Sequence, residues 1–382
     1  MRHNGESSNY DLAVVGGGIL GLAGALAAAR QGLKVVIFEK DVRALGASVR
    51  NFGFVTVSGQ DPVAIRPRAI RSRQLWLQLA EESGIPLAQR HSLVLAQRPL
   101  ASSVLHEFKA TDRGDSCRLL SRAEIRKLLP SISLDHIHDV LYSPHELRVE
   151  SKDAIPRICA WLHESFGVTV LSGCDVLAVD RPLLITSQGQ FKARRILICP
   201  GAHSNGPKGA ELRATNITRC KLQMLRLASP GFRLPATIMS DFSLIRYGDF
   251  AQQPSANALK TQLSDEHPLL LQNGIHLIVA QSLDGTLVVG DSHHYSNNPD
   301  EKSIDAVDQM ILEEYQRAIG VAAPQISQRW TGVYPSRSGD PIVIEKPQEG
   351  VRVMTVTTGC GASIGLALGE EVITELLSDS DF

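Results

Sequence analysis

The chain predicts an α/β fold, with a Rossmann-like dinucleotide-binding domain interleaved with an α+β domain that contains an antiparallel sheet. Three observations carry this expectation. DLAVVGGGILGLAGALAAARQGLKVVIFE, Asp11 to Glu39, reads as strand, glycine turn, helix, strand and acid in that order. Short apolar strands ending in glycine turns return late in the chain, at RRILICPG and at VRVMTVTTGCGAS. Between them, residues 221–330 change texture, with strand-like pieces around a hairpin turn at Asp284-Gly285.

Each element has a local reason. The apolar run Leu12–Val15 is a buried strand, and Gly16-x-Gly18-x-x-Gly21 follows at once. Gly16 permits the turn, Gly18 lets a pyrophosphate approach the backbone, and Gly21 lets the helix pack close to the sheet. The Ala-rich segment to Arg30 is the helix whose N-terminus faces phosphates. A second apolar run, 34–38, ends on Glu39, 18 residues after Gly21, where a carboxylate can accept from a ribose. A long helix is expected over 64–83, closed by Gly84-Ile85-Pro86. Ser121 precedes Glu124 by three residues, a capping box for a short helix that stops at Pro130. Helices are also expected over 151–166, 303–319 and 364–377, with strands in GVTVLSGCDVLAVD, KLQMLRLAS, GIHLIVAQ, TLVVGD and VRVMTV. The nucleotide-binding domain is therefore assembled from 1–85, 145–220 and 325–382, and the second domain from 86–144 and 221–324.

Composition narrows the function classes. The chain has 382 residues, and 39 Lys+Arg nearly cancel 40 Asp+Glu, so its summed field is weak. That argues against nucleic-acid and membrane partners. Residues 1–10 are polar, and no apolar run is long enough to span a bilayer. The six cysteines are scattered without a CxxC pair, which fits thiols in a reducing cytoplasm. His293 and His294 are adjacent, so in a strand they face opposite sides, and no metal site is expected. Both, with Tyr295, follow the 286–291 strand closely enough to lie near an active site. The arginines at 66, 68, 71 and 73 do not share one helix face and read as a solvated, partly paired surface. Trp76 and Trp161 fall in helical patterns and read as core.

The N-terminal fingerprint, ILICPGAHS, the pair TLVVGD and RWTGVYPSRSGDPIVI, and the closing TTGCGASIGLALGEEVI together resemble the D-amino-acid oxidase superfamily, in particular its glycine oxidase and sarcosine oxidase branch. The resemblance covers nearly the whole chain. It implies bound FAD and oxidation of a C–N bond in a small amine. Hydride passes to the flavin, and the resulting imine hydrolyses to an aldehyde. Oxygen or another acceptor then reoxidises the cofactor. GASVRNFGFVTVSGQ is similar to a subset linked to phosphonate breakdown, which acts on 2-aminoethylphosphonate or its N-alkyl derivatives such as the N-methyl form. The alternatives are a D-amino acid, glycine or sarcosine oxidase or dehydrogenase, and a flavin-binding RNA-modifying protein, which the neutral charge balance disfavours.

Carried across residue by residue, the resemblance assigns Gly16, Gly18, Gly21 and Glu39 to the ADP moiety of FAD. Lys40 either covers the adenine or ribose or is a solvated turn residue. Val176 meets adenine through its backbone, and Gly201 and Ala202 pass near the phosphates. Ser48, Arg50, Asn51 and Gly53 run beside the flavin ring, with a surface charge as the other reading of Arg50. Gly359, Gly361, Ala362 and Ser363 meet its pyrimidine edge, and Cys360 is a small residue in that tight loop. Family members with covalent flavin carry a cysteine on the strand matching Trp330–Tyr334, which has none here, so FAD is expected to be non-covalent. Where glycine oxidase has a carboxylate-gripping arginine, this chain has Tyr334. A phenol cannot make arginine's bidentate pair, so a different acidic group is expected, held by Arg337 or by Arg246 with Tyr247. Sarcosine oxidases have a lysine over the flavin where this chain has Val288, so fast reaction with oxygen is not assured.

Overall fold

A computed structural model describes residues 9–202, 206–213 and 216–379. The strands form two sheets. The first is an eight-stranded sheet, with the order Ile342–Glu345, Val351–Val356, Gly189–Ile198, Asn9–Val15, Val35–Glu39 and Thr169–Ser172 along its main path. Its four inner pairings are parallel, and Ile342–Glu345 adds an antiparallel edge. Val176–Asp180 and Leu183–Thr186 extend it as a meander leading into Gly189–Ile198. Parallel strands are covered on both faces, which is why Val35–Phe38 is an unbroken apolar run with every residue buried.

The helices Ile19–Ala29 and Gly361–Ser378 pack on one face of this sheet so closely that a Cβ on Gly369 would lie 2.6 Å from the Ala23 carbonyl carbon. The 64–83 helix begins later than expected, at Arg66, because Asp61 Oδ1 first takes the N–H groups of Val63 and Ala64 in a turn. It ends on Gly84 in the left-handed conformation. The capping box of Ser121 and Glu124 is formed, and Ser151–Phe166 is helical. The closing helix starts at Gly361 rather than 364, since the N–H groups of Ser363 and Ile364 already bond to the Cys360 carbonyl.

The second sheet has ten strands. Along its main path His294–Ser296 is followed by Thr218–Leu227, Leu287–Gly290, Ile278–Gln281, Thr237–Met239, Leu87–Ala96, Asp139–Val149 and Phe54–Val55. Most of its pairings are antiparallel, and Thr237–Met239 with Leu87–Ala96 is parallel. The segment assignment differs from the strand pairing at two places. Residues 325–382 were assigned to the nucleotide-binding domain, yet Ile326–Ser336 hydrogen-bonds along most of its length to Thr218–Leu227 in the second sheet. Its first half is exposed at Ser327, Gln328 and Arg329, and its second half is buried at Thr331, Gly332, Tyr334 and Pro335. Asp139–Val149 likewise belongs to the second sheet, beyond the boundary drawn at 145.

Trp76 and Trp161 are core residues. The four arginines of the 66–83 helix are engaged: Arg68 with Glu371, Arg71 with Glu370, Arg73 with the His145 carbonyl and Arg66 with that of Arg113. Among the described residues no helix is long and apolar enough to cross a membrane. His203–Asn205, the end of the 194–205 segment, lies outside the described residues.

Candidate functional site

A cavity of about 950 Å³ opens between the two sheets. Two helix N-termini line it, at Gly18–Gly21 and at Gly361–Ser363. Their first N–H groups have no intrahelical partner and carry partial positive charge. At the first, Gly16 has φ +103°, and a Cβ on Gly21 would lie 1.9 Å from the Gly16 carbonyl oxygen. Ser48 Oγ takes the Ile19 N–H at 2.9 Å. At the second, the Thr56 N–H donates to Ser363 Oγ at 2.9 Å and Trp76 Nε1 donates to the Ala362 carbonyl at 2.8 Å. Sequence reasoning placed Trp76 in the core and missed that this indole fixes the glycine loop.

Of the residues assigned to FAD, the cavity brings together Gly18, Gly21, Ser48, Arg50, Asn51, Gly201, Gly359, Gly361, Ala362 and Ser363. Gly16, Glu39, Lys40, Gly53 and Val176 do not line it. Glu39 instead steadies the glycine turn, with Oε2 accepting from the Gly17 N–H at 2.8 Å and Oε1 from the Asp41 N–H at 3.0 Å. Gly53 serves a close crossing, since a Cβ there would meet the Val149 carbonyl oxygen at 1.8 Å. Arg50 lines the cavity, but its guanidinium already donates to the carbonyls of Leu45 and Thr331. Asn51 bridges the Ala47 carbonyl, the Gly53 N–H and Ser151 Oγ. Both residues therefore shape the loop as well as face the cavity. Cys360 lies in the wall, close to Thr358 Oγ1, and burial pushes its thiol up to about 11, so it is an inert thiol. Val288 is packed in the core of the second sheet, away from the cavity.

All four residues proposed to act on substrate, Arg246, Tyr247, Tyr334 and Arg337, line the same cavity, as does Tyr295. Arg246 follows the short turn Asp241–Ile245 and reaches the Tyr295 hydroxyl at 3.5 Å. Tyr334 stands opposite Cys220 in the strand pairing, and its ring lies against Gly359, where a Cβ would approach Cζ to 3.2 Å. Burial raises the Tyr334 and Tyr247 phenols well above their ordinary range, so both stay protonated donors at neutral pH. Arg337 sits at the rim, shared with a second cavity lined by Gly201, Ala202 and Arg219.

The expectation for His293, His294 and Tyr295 divides. The two histidines do point apart. His294 Nε2 meets Asn273, while His293 enters the cavity. There it joins two residues that sequence reasoning did not single out, His276 and Asp291. The hairpin register pairs Ile278 with Gly290, so the residues just beyond each strand end are brought side by side. His276 Nε2 lies 3.2 Å from Asp291 Oδ1 and His293 Nε2 3.5 Å from Oδ2. The imidazole planes of the two histidines stack, with centroids 5.1 Å apart. Burial pushes the Asp291 carboxyl up to about 7, with Arg246 and its own backbone N–H pulling it back. Burial, seconded by Arg246, holds both histidines well below their usual range and therefore neutral.

Residues 11–375 match the DAO family, FAD dependent oxidoreductase, and the chain belongs to that family. FAD is its cofactor, and the paired helix N-termini and closely packed glycines of the cavity suit a long, doubly charged pyrophosphate and an electron-accepting ring. The chain is 27% identical over 207 residues to glycine oxidase from Geobacillus kaustophilus, covering 50% of this chain and 55% of that one. It is 25% identical to monomeric sarcosine oxidase from a Bacillus species over 51% of this chain and 52% of that one. The matches thus span about half the length of these relatives. In structure, glycine oxidase from Bacillus cereus superposes with a TM-score of 0.77 at 18% identity, covering 97% of this chain and 96% of that one, a likeness of fold.

Proposed function

We propose that the protein oxidises a small primary or secondary amine that carries a phosphonate, such as 2-aminoethylphosphonate or its N-methyl derivative, to an imine that hydrolyses to an aldehyde. The observation that carries this reading is the donor set at one end of the cavity, where Arg246 stands with the phenols of Tyr247, Tyr295 and Tyr334. A carboxylate is flat and is best met by one arginine fork. A phosphonate presents three oxygens in a tetrahedral array and up to two charges, which suits one guanidinium and several single donors. Arg337 at the rim supplies a second positive charge.

FAD, when bound, supplies the two-electron acceptor for hydride leaving the carbon next to nitrogen. Gly18, Gly21, Ser48 and Gly201 on one side, and Gly359, Gly361, Ala362 and Ser363 on the other, are the residues we assign to its binding, with Glu39 acting through the glycine turn. Arg50 and Asn51 hold the loop beside them. The chain's further work is to orient the substrate in the cavity between the two sheets. Attachment is non-covalent in this reading, since the strand segment Trp330–Tyr334 carries no cysteine. The acceptor for reoxidation is oxygen or another oxidant. A cytoplasmic setting accords with six free cysteines.

A second reading, oxidation of glycine, sarcosine or a D-amino acid, is favoured by the names of the relatives and needs only Arg246 as the carboxylate holder. The two are separated by recording the flavin spectrum of the purified protein during anaerobic addition of glycine, sarcosine, a D-amino acid, 2-aminoethylphosphonate and N-methyl-2-aminoethylphosphonate. Bleaching by the phosphonates alone is the expected result. Bleaching by the carboxylates alone replaces the first reading with the second.

A further inference from the structure

Asp291 is a buried acid whose carboxylate is only partly satisfied, although Arg246 and its own backbone N–H favour its charge. Its Oδ1 has no hydrogen-bond partner among the described residues, and the 3.2 Å approach of His276 Nε2 lacks hydrogen-bond geometry. On the other side, His293 Nδ1 meets the Gly274 carbonyl at 2.8 Å. A carbonyl only accepts, so Nδ1 carries the proton and Nε2 of the neutral ring carries a lone pair. That lone pair faces Asp291 Oδ2 at 3.5 Å. Two acceptors thus confront each other in a wall less than one-tenth exposed. Buried acceptors without donors are costly, and a group that is cationic and rich in N–H would satisfy both at once. The donor atoms of His276, Asp291 and His293 all lie within 4.8 Å of one another, close enough to share one such group.

We propose that Asp291, flanked by His276 and His293, seats the ammonium end of the substrate and accepts its proton. This rests on the amine-oxidising reading above and names the half of the site that the anion-binding residues leave open. An amine can release hydride from its neighbouring carbon only when its nitrogen lone pair is free. The bound ammonium gives one proton to the Asp291 carboxylate and becomes the neutral amine. With the lone pair freed, the nitrogen can form the C=N bond as the neighbouring carbon loses hydride, and FAD, when bound, would be the acceptor that balances those two electrons. The charged and titratable groups around the carboxylate are Arg246, Tyr247, His276, His293 and Cys220. Arg246 keeps the acid from being fully neutralised, and the two imidazoles beside it are uncharged.

The test uses the FAD-loaded enzyme and ligands that cannot be oxidised. In 2-amino-2-methylpropylphosphonate the carbon bearing nitrogen has no hydrogen, and in 2,2-dimethylpropylphosphonate a methyl group replaces the ammonium. Both are titrated by the shift in flavin absorbance and by calorimetry in buffers of different ionisation enthalpy. The amine is expected to bind at least about tenfold tighter than its isostere at pH 8. Below pH 7 its binding should release about one proton, because the acid is then already protonated. Asp291→Asn should abolish the advantage and the proton release while leaving the isostere's affinity within about twofold. His276→Gln keeps the carboxylate and should shift the pH midpoint of the advantage, which covers the case of an Asp291→Asn protein that does not hold flavin.

An advantage that persists in Asp291→Asn, or that ignores pH, overturns the proposal. So does tight, Asp291-dependent binding of Zn²⁺ alone that excludes the amine, which makes the cluster a metal site. If neither phosphonate binds the native enzyme, the pair 2-aminoisobutyrate and 2,2-dimethylpropanoate is read in the same way. An Asp291-dependent advantage in that pair sustains the ammonium seat and removes only the phosphonate. Failure of both pairs removes the seat, while the amine reading stands or falls on the bleaching of flavin by oxidisable amines.

Discussion

At the scale of single residues, the site divides, in the proposed reading, into donors for an anion and acceptors for a cation. Arg246 is the fixed positive charge among the phenols. Replacing it by methionine keeps the volume and removes the charge-assisted hydrogen bonds, each worth about 1.5–3 kcal/mol. Steady-state kinetics of Arg246→Met should therefore raise KM for the phosphonate amine by about 10- to 100-fold, with the flavin spectrum unchanged. Tyr295→Phe should cost far less, since its 3.5 Å contact with Arg246 is long. A larger loss in Tyr295→Phe than in Arg246→Met reverses the assignment of roles. Much of this end was legible in sequence, because Tyr334 departs from a recognised pattern and Arg246-Tyr247 is an arginine beside a phenol. His276 was not legible. It sits in an apolar run, and only the hairpin pairing carries it to Asp291.

At the scale of elements, the loop beside the cofactor is tied to the sheets by a buried ionic knot. Arg148 donates to the Phe52 and Gln281 carbonyls and to Glu150, and Arg226 reaches the other oxygen of Glu150 at 3.0 Å. Glu150 is held below the usual carboxylate range. Burial works against its charge, but Arg148, Ser282 and Arg226 outweigh it. Glu150→Gln leaves two buried guanidinium groups short of a counter-charge and should destabilise the protein by about 3 kcal/mol in urea unfolding at pH 7. Since the folded pKa is the lower one, the native contribution is complete above the unfolded value near ~4.5 and is lost as pH falls through the folded value. The gap between native and Glu150→Gln should accordingly narrow in acid below about pH 4.5. A gap independent of pH would mean that the knot acts through shape rather than charge. The first helix offers a second check. Gly21→Ala forces a methyl to within 1.9 Å of the Gly16 oxygen, so the purified variant should have lost most of its FAD, read as the ratio of flavin to protein absorbance. Elements of this kind were well marked in sequence wherever the cause is local, as in the Ser121 capping box, the Gly84 stop and the all-apolar Val35–Phe38 strand.

At the scale of the whole molecule, the two sheets meet around the cavity, and its walls come from residues as distant as Gly18 and Ser363. A ligand filling such a space stabilises the fold by mass action. With free FAD at a hundred times its dissociation constant the gain is about 2.7 kcal/mol. Stripping FAD should lower the melting temperature, and adding it back should restore the value in proportion to the logarithm of its concentration. A melting temperature indifferent to FAD would mean that the cavity is held open by the protein alone.

The sequence by itself determined the family, the α/β class and the elements whose signals are local, because glycine spacing, apolar period and caps act over a few residues. Tertiary structure alone decided where Ile326–Ser336 pairs, since a strand's local sequence carries no label for its partner sheet. It also turned Glu39 toward the Gly17 N–H, gave Trp76 a carbonyl on the closing helix, and drew His276, Asp291 and His293 together. Each of these depends on contacts between segments far apart in the chain, and such contacts exist only once the register and packing of the sheets are set.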